Sequence, residues 1–137
     1  MRKSDFESLS DVKLEDARIL YESESYSNAF YLAGYSVEFA LKACIALQFS
    51  RHDIPDKRFV LATYTHDLRE LIKQAGLSLE LRNFQNRNAT AAANWAIVTE
   101  WDEQSRYQTK TKGEAQYLIS AIVDPNDGVL PWIKTFW

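Results

Sequence analysis

The chain has 137 residues, 46% hydrophobic and 26% charged, with a net charge of −3 and a pI near 5.4. A chain of this size and mixed composition forms a core without staples, so residues 1–137 are expected to make one domain; the single cysteine, Cys44, excludes an internal disulfide. The acidic balance argues against general adhesion to nucleic acid, which calls for a clearly basic protein, and leaves RNA only a local patch.

No apolar run is expected to reach the roughly 18 residues of a membrane span. The opening Met1–Asp11 lacks the apolar stretch of a secretory leader, so a cytoplasmic protein that contacts no membrane is expected. Glycine and proline are scarce, with four and three copies, which favours long helices with few turns.

The first helix is predicted from about Leu9 to Ser23. Ser8 or Ser10 is its N-cap, and Leu9, Val12, Ala17, Leu20 and Tyr21 form its apolar stripe. Ser25 and Asn28 mark a short turn, and a second helix runs from Tyr26 to about Phe49. This segment is apolar on almost every side, so other helices must surround it. Gly34, unfavourable in a helix by up to about 1 kcal/mol relative to alanine, would let a neighbour approach closely.

Arg51 to Arg58, with Pro55, reads as a loop, and Phe59–Tyr64 fits either an extended or a helical segment. Thr65 is predicted to cap a helix from His66 to Gln74 that Gly76 closes. Ser78 opens a short polar helix. A fourth long segment spans Ala89 to Asp102, with Ala92, Trp95, Ala96, Val98 and Thr99 turned inward. After a polar break at Thr109–Gly113, a further helix covers Glu114 to Val123, and the aromatic tail from Gly128 docks on the rest. The expectation is an all-α bundle of four to five principal helices with a short C-terminal accessory helix.

Few residues offer chemistry. The two histidines each precede an aspartate, in His52-Asp53 and His66-Asp67. A metal-dependent phosphohydrolase would need further histidine and carboxylate ligands, and with no third histidine a metal site is not expected. No glycine-rich phosphate loop and no serine or cysteine nucleophile with a base pattern is visible, so no cofactor is expected. Two short basic groups are candidates for phosphate contact: Arg82 with Arg87, and Arg106 with Lys110 and Lys112. Trp95, Trp101, Trp132 and Trp137 read as core or interface anchors.

Glu38 and Lys42 stand at i, i+4, glutamate first, the favourable order for an intrahelical pair. On so apolar a helix both would be half-buried and in need of further partners. Arg106 is the candidate partner for Glu38, since its guanidinium fork suits a carboxylate. His66 or Tyr107 would sit at the edge. The cluster reads as structural ahead of a binding site.

The segment Tyr26–Ala43, with Tyr64-Thr65-His66-Asp67-Leu68, Ala75-Gly76-Leu77 and Ser105-Arg106-Tyr107, resembles the HEPN domain family, from about Ala17 to Tyr107. That resemblance implies a small all-helical, homodimeric protein of a family whose members bind nucleotides or bind and cut RNA. HEPN ribonucleases carry an arginine and, a few residues later, a histidine that serves as acid and base. Here Lys110, Thr111 and Lys112 follow Arg106 where that histidine would stand, and a lysine with its usual pKa near 10.4 is a poor proton shuttle at neutral pH. The resemblance therefore implies a non-catalytic module that binds a nucleotide, RNA or a partner protein through Arg106, Tyr107, Lys110 and Lys112. The alternative is a divergent, metal-independent endoribonuclease, the toxin of a pair with a nucleotidyltransferase.

Overall fold

A computed structural model describes residues 1–49, 54 and 56–137; the His52-Asp53 doublet lies outside the described residues. Within them the chain is helical: α1 (Lys3–Glu22), α2 (Tyr26–Ala46), α3 (Lys57–Ala62), α4 (Leu68–Gln74), α5 (Ser78–Arg87), α6 (Ala89–Val98), a 3-10 helix (Glu103–Tyr107), α7 (Lys112–Val123) and α8 (Val129–Lys134). The all-α bundle is as expected, with α1, α2, α5, α6 and α7 as its long members.

Helix α2 is the axis of the fold, and α1, α4, α7, α8 and the 3-10 helix all pack against it. Ala29, Ala33, Val37, Ala40, Leu41 and Ala43 on it are fully buried, and one core joins Ala33, Val37, Ala40 and Leu41 to Ala17, Phe84, Trp95, Leu118 and Ile133. Burying a Leu or Ile side chain contributes about 1.5–3 kcal/mol, so most of the stability is gathered around this helix. Contrary to expectation, α2 is long and apolar enough to cross a membrane, with a mean hydropathy of 1.2 over its best window; 67% of that window is buried in the bundle, as befits a core helix.

Gly34 is where α2 admits a neighbour. A Cβ there would overlap the Trp101 indole. Trp101 is 2% exposed, and its Nε1 donates to the Tyr31 carbonyl at 3.1 Å. The predicted close approach is thus made by one indole ring. The tail docks as expected: Val129, Leu130 and Ile133 are buried, and Trp137 Nε1 donates to the Ala40 carbonyl at 3.2 Å.

Several boundaries differ from the sequence reading. Helix α1 begins at Lys3, where the Asp5 carboxylate accepts from the Arg2 backbone N–H at 2.8 Å. Neither Ser8 nor Ser10 is its cap: Ser10 is buried mid-helix and donates to the Ser36 carbonyl of α2 at 2.6 Å. Val12 is 51% exposed, and the inward face is Ser10, Leu14, Ala17 and Tyr21. Helix α2 ends at Ala46, short of Phe49, and the open segment Phe59–Tyr64 is largely helical, in α3. Asp67, not Thr65, caps α4 by accepting from Arg69 N–H at 2.9 Å, so His66 precedes the helix.

Gly76 closes α4 as predicted: its φ of +72° suits glycine, and Leu77 N–H reaches back to the Ile72 carbonyl at 3.0 Å. The inward face of α6 is Ala91, Asn94, Trp95 and Val98, while Ala96 is exposed. Helix α7 starts at Lys112, two residues earlier than expected, because Thr111 caps it in a reciprocal box with Glu114.

Candidate functional site

Tyr31, Tyr35, Glu38 and Lys42 recur at helical spacing along one stripe of α2, a row of apolar bodies with polar tips. The 3-10 helix and the approach to α4 cover this stripe, and they bring Glu103 and His66 onto it.

Glu38 is 1% exposed, so its charge must be compensated. Lys42 Nζ donates to its Oε2 at 3.2 Å, completing the predicted intrahelical pair. The other oxygen, Oε1, lies 2.8 Å from His66 Nδ1. His66 Nε2 in turn lies 3.2 Å from Glu103 Oε2, and Glu103 Oε1 lies 4.0 Å from Arg106 Nη1. The result is a line of polar groups: Lys42, Glu38, His66, Glu103, Arg106. His66 can donate to both carboxylates only with hydrogens on both ring nitrogens. Its ring meets Tyr35 edge to face, with centroids 6.0 Å apart. Burial, then the Tyr31 hydroxyl and the Glu38 charge, hold the Tyr35 phenol well above its ordinary value.

Glu38 and Lys42 pair as expected; His66, expected only at the edge, is instead a direct partner of Glu38, and the expected partner Arg106 is not. Among the described residues the partners of Glu38 are His66 and Lys42. Arg106 joins the line only through Glu103, and its guanidinium instead lies 4.7 Å over the Tyr107 ring on the exterior. Glu103 enters the site only with the structure, although its i, i+3 spacing to Arg106 is an ordinary pairing signal.

The other basic candidates part company. Lys110 Nζ sits 4.6 Å over the Phe30 ring and 3.5 Å from Glu114, with a side chain only 19% exposed. Lys112 is exposed at the first turn of α7. The start of that helix is already filled by Glu114, whose carboxyl is held below its ordinary range chiefly by hydrogen bonding to Thr111. Arg87 is tied down, donating to the Asn126 carbonyl at 2.7 Å and to Asp127 Oδ1 at 3.0 Å. Arg82 is exposed on α5. Of the two basic groups, the one around Arg106 keeps more of its charge at the surface.

Beside His66 opens a cleft of about 530 Å³, walled by Thr65, His66 and Arg69 on one side and Trp101, Asp102 and Glu103 on the other. No group of three or more His, Cys, Asp or Glu side chains placed to hold a metal occurs among the described residues. The chemistry on display is that of an imidazole between two carboxylates, with a guanidinium beside it.

The family model described as HEPN domain matches residues 10–123. The chain belongs to the HEPN domain family. No match emerged among curated proteins or among solved structures. Membership supports a nucleotide- or RNA-related, or ribonuclease-like, module, and the match runs through α2, the His66 cleft and Arg106 alike.

Proposed function

We propose that this HEPN module is non-catalytic and binds the phosphate of a nucleotide or of RNA, as a homodimer, through Arg106 and Tyr107, with Lys112 adding charge nearby in sequence. The observation that supports the reading is the exposed Arg106–Tyr107 stack. Tyr107 is 71% exposed, and among the described residues the carboxylate paired with Arg106, that of Glu103, is 4.0 Å away. The guanidinium thus keeps N–H donors for a phosphate, and the ring beneath it holds it in place by a cation–π contact. Lys110, engaged with Phe30 and Glu114, plays the lesser part.

Within the chain α2 is wrapped and the tail is docked, so a dimer draws on neither. A second copy can still meet Leu47, Leu61 and Tyr64, each more than half exposed.

The test is a titration of single-stranded RNA and of mononucleotides onto wild type and Arg106→Ala across a salt series, with light scattering to read the assembly. Binding that weakens with salt and is lost in the variant, by a dimer, is the expected result; binding indifferent to both salt and Arg106 sinks the reading.

A second reading, the divergent ribonuclease with a nucleotidyltransferase partner, is favoured by one observation. Glu38 orients His66 through Nδ1, leaving Nε2 toward Glu103, so an imidazole stands in the same cluster as Arg106 although none follows Arg106 in sequence. Metal-free RNA cleavage that disappears in both His66→Ala and Arg106→Ala would establish that activity.

A further inference from the structure

We infer that the cleft beside His66 is a nucleobase pocket selective for guanine, with Glu103 as the residue that reads the base. This rests on the phosphate role given to Arg106 above and deepens it. The cleft's volume of about 530 Å³ falls within the range of small-ligand sites, about 300–1,000 Å³, and accommodates a base with its ribose. Glu103 belongs both to its wall and to the line of groups that ends in Arg106. A base in the cleft and a phosphate on Arg106 can therefore belong to one nucleotide.

Three carboxylates line the cleft, and they differ in what they have left to offer. Asp67 and Asp102 each use an oxygen to start their own helix, accepting from Arg69 N–H at 2.9 Å and from Gln104 N–H at 2.8 Å. Glu103 caps nothing. Its Oε2 faces His66 Nε2 at 3.2 Å, while its Oε1 has only the long contact of 4.0 Å to Arg106. His66 is itself fixed by the buried Glu38. Two carboxylate oxygens carry about four acceptor sites and no donor, so Glu103 retains capacity for a ligand that presents N–H groups.

That requirement separates the bases. The pairing edge of guanine carries two adjacent N–H donors, N1–H and the 2-amino group, which match two carboxylate oxygens side by side. Adenine and cytosine place an amino group next to a ring nitrogen lone pair, which would face the anion. Uracil flanks its one N–H with carbonyl oxygens, which the carboxylate also repels. A well-placed bidentate contact discriminates between bases by about 1–3 kcal/mol.

The experiment is calorimetric titration of GMP, IMP, AMP, CMP and UMP onto the full chain at low salt. It is repeated with Glu103→Gln and Arg106→Ala, each checked for fold by circular dichroism. GMP is expected to bind at least about tenfold more tightly than AMP, CMP or UMP, with IMP between them because it lacks the 2-amino group. Glu103→Gln should weaken GMP and strengthen AMP, because the amide offers one acceptor and one donor that match the adenine amino group and ring nitrogen, whereas Arg106→Ala should weaken all five. Equal affinity for GMP and AMP in the wild type, or a guanine preference that survives Glu103→Gln, overturns the pocket. If RNA binds through Arg106 but GMP does not bind, the pocket falls and the phosphate reading stands. Nucleotides and RNA both failing to bind removes the two together.

Discussion

His66 Nδ1 lies 2.8 Å from Oε1 of Glu38, a carboxylate only 1% exposed. The contact joins the approach to α4 to the middle of α2 and partners a charge that would otherwise rely on Lys42 alone. His66→Ala is expected to destabilise the fold by about 2 kcal/mol, the scale of a hydrogen bond to a buried charge. Lys42 remains, so the loss stays below the roughly 3–5 kcal/mol of a fully stranded ion. Urea unfolding of wild type and variant measures it, and a change within error would show that Lys42 suffices.

Arg106→Ala, in contrast, should change stability by no more than about 0.5 kcal/mol, as for other surface positions. Its guanidinium is on the exterior and its ion pair is long. The same urea experiment decides, and a loss of several kcal/mol would place Arg106 inside the buried network after all.

Gly34→Ala sets two effects against each other. Alanine improves helix propensity by up to about 1 kcal/mol, but the added methyl overlaps the Trp101 indole. Overpacking a fixed core costs about 1–3 kcal/mol or more, so the overlap should win and the melting temperature should fall. Near-UV circular dichroism should report displacement of Trp101; an unchanged spectrum with a higher melting temperature would refute the account.

The turn before α8 carries one contribution to stability that depends on pH. Backbone N–H groups of Asp127 and Asn126 hold the Asp124 carboxyl below its ordinary value of 3.8. A depressed native pKa means that the unfolded chain binds the proton more readily. The contribution of Asp124 is therefore complete above the ordinary value and declines as pH falls through it toward the lower native one. Asp124→Asn should be less stable than wild type at neutral pH, with the gap narrowing below about pH 4. Thermal melts across that window test this, and a constant gap would contradict it.

Cys44 gives the opposite sign. Burial pushes its thiol from 9.0 up to about 11, so the native state keeps a proton that the unfolded chain releases. Stability should fall as pH rises between those values, and Cys44→Ala should lack that alkaline loss. The native thiol should also resist alkylation at pH 8 until denaturant is added. Its Sγ faces the Ile133 carbonyl of α8 at 3.9 Å, and rapid alkylation of the folded protein would show that α8 does not cover it.

The helical bundle was legible because composition and period mark α2 as a helix with no polar face, and Gly34 as a point of close approach. The start of α1 was not, because Ser8 and Ser10 are good caps by type. Only the carbonyl of Ser36, 26 residues away, explains why Ser10 lies inside the helix. Thr65 and Asp67 were likewise both competent caps, and the chain uses Asp67 for the helix while Thr65 accepts from Asp67 N–H. In the site, Glu38 with Lys42 followed from spacing along one helix. The link from Glu38 to His66 crosses 28 residues, beyond what local pattern can reveal; chemistry alone favours Arg106 as the partner, yet Glu103, three residues before it, is what reaches His66.

Asp127 gathers Arg87, Asn88 and Asn94 from positions 33 to 40 residues earlier in the chain, whereas α1 and α2 meet across a three-residue turn. Closing the longer loop carries a higher entropic cost before any contact repays it. The α1–α2 hairpin can therefore form as a first, local step, and the junction at Asp127 completes a structure already nucleated around α2. Amide exchange in the native protein should follow the reverse order. Helix α3, with no buried residue, exchanges early, the ends of α5 and α6 follow, and the middle of α2 holds its hydrogens until the whole chain opens.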